Sequence, residues 1–172
     1  MRIISGAYKG RRLKSPPKTS KVRPTTDRVR ETLFNLITNR IDLKKAKVLD
    51  LFCGTGSLGI ECLSRGALEA VFVDKDISTI KENVDMLEIN DNVKVRKADA
   101  FRYLKKTEES FNLTFADPPY SFNNYDSLIK EASGKTQYLI LEHSSSNRFE
   151  GETVMLRKDF GETSLTFFEF KK

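Results

Sequence analysis

At 172 residues, with 38% apolar and 31% charged side chains, the chain is the size of one domain and carries more charge than the ~25% of an average soluble domain. No apolar run approaches the roughly 20 residues of a bilayer span, and the opening MRIISGAYKGRRLK has no signal-peptide core, which points to a cytoplasmic protein without a membrane partner. Two cysteines (Cys53 and Cys62) and one histidine (His143) argue against a metal cluster or a disulfide framework.

The net charge of +6 is unevenly spread: Met1 to Glu31 hold ten basic residues against Asp27 and Glu31, and the remainder is net −2. Such a basic arm either neutralises nucleic-acid phosphates or serves only as a solvated tail. Arg11, Arg12, Lys14, Arg23 and Arg28 are its candidate phosphate contacts. Within it, Arg2 to Ile4 and Arg11 to Leu13 read as a small β-hairpin around Gly6 and Gly10, followed by a turn-rich connector SPPKTSKVRPTT. From Thr26 the spacing of Val29, Leu33, Leu36 and Ile37 predicts an amphipathic helix. The chain then divides into a basic N-terminal hairpin arm over 1–25 and a main unit over 26–172, one domain in all.

After Lys47 strand-like and helix-like segments alternate. VLDLF, SLGIECLSR, AVFVD, the helical face Ile77-Ile80-Val84-Leu87, VKVRKAD, a short helix around Phe101 and Leu104, LTFAD, the loop DPPYSFNNYD, a further helix and YLILEH follow in turn. The alternation predicts βαβ units, a mostly parallel Rossmann-like sheet with helices on both faces. The last two strands, TVMLRK and TSLTFFEF, are separated only by DFGE, too short for a crossover helix, so the sheet should end in an antiparallel hairpin.

Gly54, Gly56 and Gly59 in VLDLFCGTGSLGIE lie between a strand and a helix and satisfy G-x-G-x-x-G, with Asp74 ending the next strand. An NAD enzyme fits this pattern, with Asp74 on the ribose hydroxyls. Asp50, just ahead of the loop, would oppose a pyrophosphate, whereas a ligand with a sulfonium and an ammonium suits it. These charges favour S-adenosylmethionine, with Asp50 near its cationic end and Asp74 on its ribose. A plain tight turn with Asp74 as a helix cap is the structural alternative. Asp99 in KADAF either accepts from an adenine amine, with Ala100 and Phe101 lining the ring, or caps the following helix. Cys53 is a small filler beside the loop.

Asp117, Pro118, Pro119 and Tyr120 follow the strand LTFA. An exocyclic nucleobase amine is a weak nucleophile, so its N–H groups must be held and its nitrogen turned toward the reacting carbon. The Asp117 carboxylate and the Pro118 carbonyl supply two acceptors, the prolines stiffen the loop and lack N–H donors, and Tyr120 offers a stacking face for a base swung out of its helix. An Asx turn with a surface tyrosine is the alternative. His143, at a strand end, reads as a loop anchor rather than a base.

Together VLDLFCGTGSLGIE, VFVDKD, KADAF and FADPPY resemble the class I S-adenosylmethionine-dependent methyltransferases that modify amino groups. RIISGAYKGRRL, RPTTDRVRETLFN and KDFGETSLTFFEF are similar specifically to the RsmD family, over nearly the whole chain. Members methylate the N2 amine of a guanine in bacterial small-subunit (16S) rRNA, an activity of the guanine-966 type. The resemblance implies donor contacts from Asp50, Gly54, Gly56, Asp74 and Asp99, with Asp117, Pro118 and Tyr120 at the target amine. It further implies that Arg23, Pro24, Thr25 and Arg28 close over the cofactor or meet the RNA, and that rRNA or an assembling small subunit is the partner of a monomeric enzyme. The segments after DPPY and before the final hairpin are short for this family. A DNA adenine-N6 methyltransferase would use the same loop, but the chain leaves little room for a base-reading domain.

Overall fold

The computed structural model describes residues 1–15 and 27–171. Arg23, Pro24, Thr25 and the connector after Ser15 lie outside the described residues. Helix α1 spans Asp27–Thr38, α2 Ser57–Ser64, α3 Ser78–Leu87, α4 Ala100–Lys106 and α5 Tyr125–Ser133. The strands are β1 Lys47–Leu51, β2 Glu69–Asp74, β3 Val93–Lys97, β4 Phe111–Ala116, β5 Thr136–Ser144, β6 Val154–Phe160 and β7 Thr163–Glu169.

They form one sheet in the order β3-β2-β1-β4-β5-β7-β6. The first five are parallel, and β7 runs antiparallel to both β5 and β6. Only Gly161 and Glu162 separate β6 from β7, which is why they pair as a hairpin. The parallel strands are apolar on both faces because both are covered. Val48, Phe72, Phe115 and Ile140 meet α1, α2 and α3 on one side, and Leu49, Val71, Ala116 and Leu141 meet α4 and α5 on the other. No helix among the described residues is long and apolar enough to cross a membrane.

The N-terminal hairpin is reduced to one antiparallel bridge, Arg2 to Arg12. It is nevertheless part of the core, with Ile3 and Leu13 buried beside Leu33, Phe34 and Ile37. Fully buried Glu61 on α2 accepts the N–H groups of Ile4 and Ser5 at 2.8 and 3.0 Å, and the Ser64 carbonyl accepts that of Ala7 at 2.7 Å. A charged group with its hydrogen bonds met in this way holds a segment more firmly than exposed pairs do.

Candidate active site

The carboxyl ends of β1 and β4 lie side by side where the strand order reverses, β1 leading outward to β2 and β4 to β5. Open α/β sheets take their ligands at such a crevice. β1 runs into Phe52-Cys53-Gly54-Thr55-Gly56 before α2 begins. Gly56 is left-handed at φ 75, and a Cβ there would stand 2.1 Å from Ile80 Cδ1, so this turn requires glycine. At Gly54 an added Cβ would meet nothing within 4 Å. The outer side of the loop is therefore open backbone.

Three carboxylates surround this opening. Asp50 is only 4% exposed and accepts the Gly59 N–H at 2.9 Å. Burial pushes its pKa up to about 7, against the pull of that N–H, and the charge of Asp74 adds to the rise. Asp74 at the end of β2 accepts the Gly54 N–H at 2.9 Å on one oxygen and the Asp76 N–H at 3.1 Å on the other. Each oxygen keeps a lone pair for a ligand hydroxyl. Asp99 accepts the N–H groups of Phe101 and Arg102 as the cap of α4 and meets Lys75 Nζ at 3.2 Å. Burial works to raise its pKa, but the Arg102 N–H and Lys75 outweigh it and hold the carboxyl below its ordinary range. The capping role foreseen for Asp99 is the one the hydrogen bonds display, and an adenine amine would share its second oxygen with Lys75. This acidic donor set suits a cationic ligand and repels phosphate.

The buried charge of Asp50 has a consequence for stability. An unfolded aspartate titrates near pH 4, so the raised folded pKa favours folding below that range, and the benefit is lost as pH rises through about 7. Asp50→Asn is expected to stabilise the protein at pH 8 by up to about 4 kcal/mol, with the gain vanishing toward pH 4. Thermal denaturation across that range checks it, and a gain independent of pH would contradict the assignment.

Across the crevice, Pro118 is buried while Pro119 and Tyr120 are exposed, Tyr120 at 66%. The Pro119 carbonyl accepts the Phe122 N–H at 2.8 Å and closes a turn. The Pro118 carbonyl accepts no hydrogen bond from the described residues. Asp117 stands one residue past the Ala116–Leu141 pair of β4 and β5, so Glu142 follows in step on the neighbouring strand. The residue is exposed as a whole, while its carboxyl is drawn out of water beside the charges of Glu142 and Asp50. Loss of water there, then Glu142, then Asp50 raise its pKa well above the carboxylate range.

An aromatic wall that the motifs alone did not reveal joins the two loops. Phe122 stacks on Phe101 at 5.9 Å and 23°, and meets Phe52 and Tyr125 edge-on at 5.8 and 5.0 Å. Phe52 is left-handed at φ 56, a strained position for a bulky residue. Four aromatics close to two motif loops were a readable signal, but only the fold shows that they touch. His143 is an anchor, as expected. Its Nδ1 donates to the Ser144 carbonyl and its Nε2 accepts from the Thr166 hydroxyl, both at 2.8 Å, while burial lowers its pKa. Burial also pushes the Cys53 thiol up, so the filler role stands.

Two side chains of the basic arm have partners within the fold. The Arg11 guanidinium donates to the Met86 carbonyl at 2.7 Å at the end of α3, and Lys14 pairs with Glu82 at 2.9 Å. Those two cations are engaged within the fold because the hairpin packs on α3. Arg12 and Arg28 are exposed, and Arg23 lies outside the described residues.

A family model described as conserved hypothetical protein 95 matches residues 1–169. The Bacillus subtilis protein named "Putative rRNA methyltransferase YlbH" is 38% identical over 98% of both chains. Ribosomal RNA small subunit methyltransferase D of Escherichia coli is 39% identical over 70% of this chain and 60% of its own length. Among solved structures, "Putative methyltransferase yhhF" of Escherichia coli superposes with a TM-score of 0.85 at 28% identity, over 99% of this chain and 98% of the other.

Proposed function

Because the chain belongs to the RsmD family of methyltransferases, we propose that it methylates the exocyclic N2 amine of a guanine in 16S rRNA, of the guanine-966 type, with S-adenosylmethionine as donor. The observation that carries this reading is the facing of an open, acid-lined glycine loop after β1 and an acceptor-rich DPPY loop after β4 across one crevice.

The donor supplies an electrophilic methyl on a sulfonium. Asp50 and the open backbone at Gly54 suit its cationic end, Asp74 its ribose hydroxyls, and Ala100 and Phe101 its base. Asp117 accepts one N–H of the guanine amine and the Pro118 carbonyl the other, which turns the nitrogen lone pair toward the methyl. Pro119 fixes the turn that presents Tyr120, whose exposed ring receives the swung-out base. As the nitrogen–carbon bond forms and the sulfur–carbon bond breaks, the displaced amine proton passes to Asp117, whose crowding by Glu142 raises its proton affinity. Positioning carries most of such a displacement. Arg11, Arg12, Lys14 and Arg28, with Arg23, meet RNA phosphates. The chain works as one domain with its hairpin arm, as a monomer in the cytoplasm where small subunits assemble.

Calorimetry with S-adenosylmethionine and NAD tests the donor. Binding of S-adenosylmethionine alone is expected, weakened at least about tenfold in Asp50→Asn through the loss of a charge-assisted contact. Binding of NAD alone would overturn the reading.

A further inference from the structure

Asn83 is a polar residue on the apolar face that Ile80, Val84 and Leu87 give to α3, and it is completely buried. Its amide is nearly saturated. Oδ1 accepts the Lys14 N–H at 2.8 Å, and Nδ2 donates to the Lys14 carbonyl at 3.2 Å and to the Thr55 carbonyl at 2.9 Å. The side chain thus pairs with the Lys14 backbone as a neighbouring strand would, and with its remaining hydrogen it grips the glycine loop between Gly54 and Gly56. Among the described residues no other side chain has hydrogen bonds to both the hairpin and this loop.

Burying an amide is favourable only when its partners are in place, since an unmet donor or acceptor has given up its water for nothing. Moving the hairpin leaves Asn83 unpaired and loosens its hold on Thr55. Shifting the loop does the reverse. We propose that Asn83 is a positioning residue that couples the N-terminal hairpin to the donor loop, so that an occupied loop stiffens the hairpin and a docked hairpin tightens the donor. Coupling of this kind is reciprocal. Arg12 is carried on the same hairpin, so an RNA held there and the donor reinforce each other's binding. The inference rests on the reading that the glycine loop holds the donor.

Hydrogen exchange with S-adenosylhomocysteine as probe tests it. In the unmodified protein, exchange is expected to slow by at least about threefold both in the loop over 52–56 and in the hairpin over 11–15. In Asn83→Ala the loop still responds and the hairpin does not, and the KM for the donor rises about three- to tenfold with kcat little changed. Lys14→Pro removes the Lys14 N–H without opening the core and should uncouple the hairpin in the same way. A loop that responds while the hairpin of the unmodified protein does not, or a hairpin response that survives both variants, would overturn the coupling alone. A loop that fails to respond would overturn the donor site and the coupling with it.

Discussion

Asp117→Ala is expected to lower methyl transfer about a thousandfold, the scale of losing one preorganised polar contact to the reacting group, while donor affinity stays within about tenfold. The two effects separate because Asp117 lies in the loop after β4 and the open backbone at Gly54 in the loop after β1. Only one of two amine acceptors is removed, but the Pro118 carbonyl cannot take a proton. The raised pKa of Asp117 sets the pH dependence. The carboxyl takes up the amine proton only when ionised, so the rate should fall as pH drops through a value above the ordinary carboxylate range. Glu142→Gln removes the neighbouring charge and should move this acid limb to lower pH. Rates measured from pH 5 to 9 check both points, and an Asp117→Ala variant with undiminished turnover would remove Asp117 from the chemistry.

Gly6→Ala should destabilise the fold more than any other substitution considered. Gly6 is left-handed at φ 86, and an added Cβ would stand 1.8 Å from the Ser64 carbonyl oxygen, a backbone atom that cannot move aside without unwinding the end of α2. The hairpin must lift, losing the Glu61 and Ser64 bonds and exposing Ile3 and Leu13. A loss of about 2–4 kcal/mol follows from overpacking and backbone strain, or roughly 10 °C in Tm for a chain of this size. Gly10 supplies the control: it has a similar φ of 83, but a Cβ there meets nothing within 4 Å, so Gly10→Ala should cost about 1–2 kcal/mol. Equal effects at the two positions would show that the hairpin is not packed as described.

Much of this arrangement was legible before any coordinates. The Rossmann-like sheet followed from apolar runs of strand length alternating with helical spacing, and the closing antiparallel pair from the brevity of DFGE between TVMLRK and TSLTFFEF. Both site loops were readable because each is contiguous: one stretch of sequence carries Asp50 through Gly56, another Asp117 through Tyr120. What escaped was long-range. Glu142 is adjacent to Asp117 only through the β4–β5 register. Phe52, Phe101 and Phe122 meet only when three βα loops converge. Composition singled out Arg11 and Lys14 without showing that Met86 and Glu82, more than 65 residues away along the chain, are their partners in the fold. Asn83 did leave a trace in the sequence, a lone amide within an apolar helical stripe, but its partners could not be read from periodicity.

The most direct measurement is methyl transfer from labelled S-adenosylmethionine to small-subunit particles lacking the modification, beside naked rRNA and duplex DNA, with the product nucleoside identified by mass spectrometry. Label in N2-methylguanosine is the expected result. Label in N6-methyladenine would contradict the substrate while leaving the donor loop and the DPPY chemistry intact, and label in no nucleic acid would contradict the proposed reaction itself.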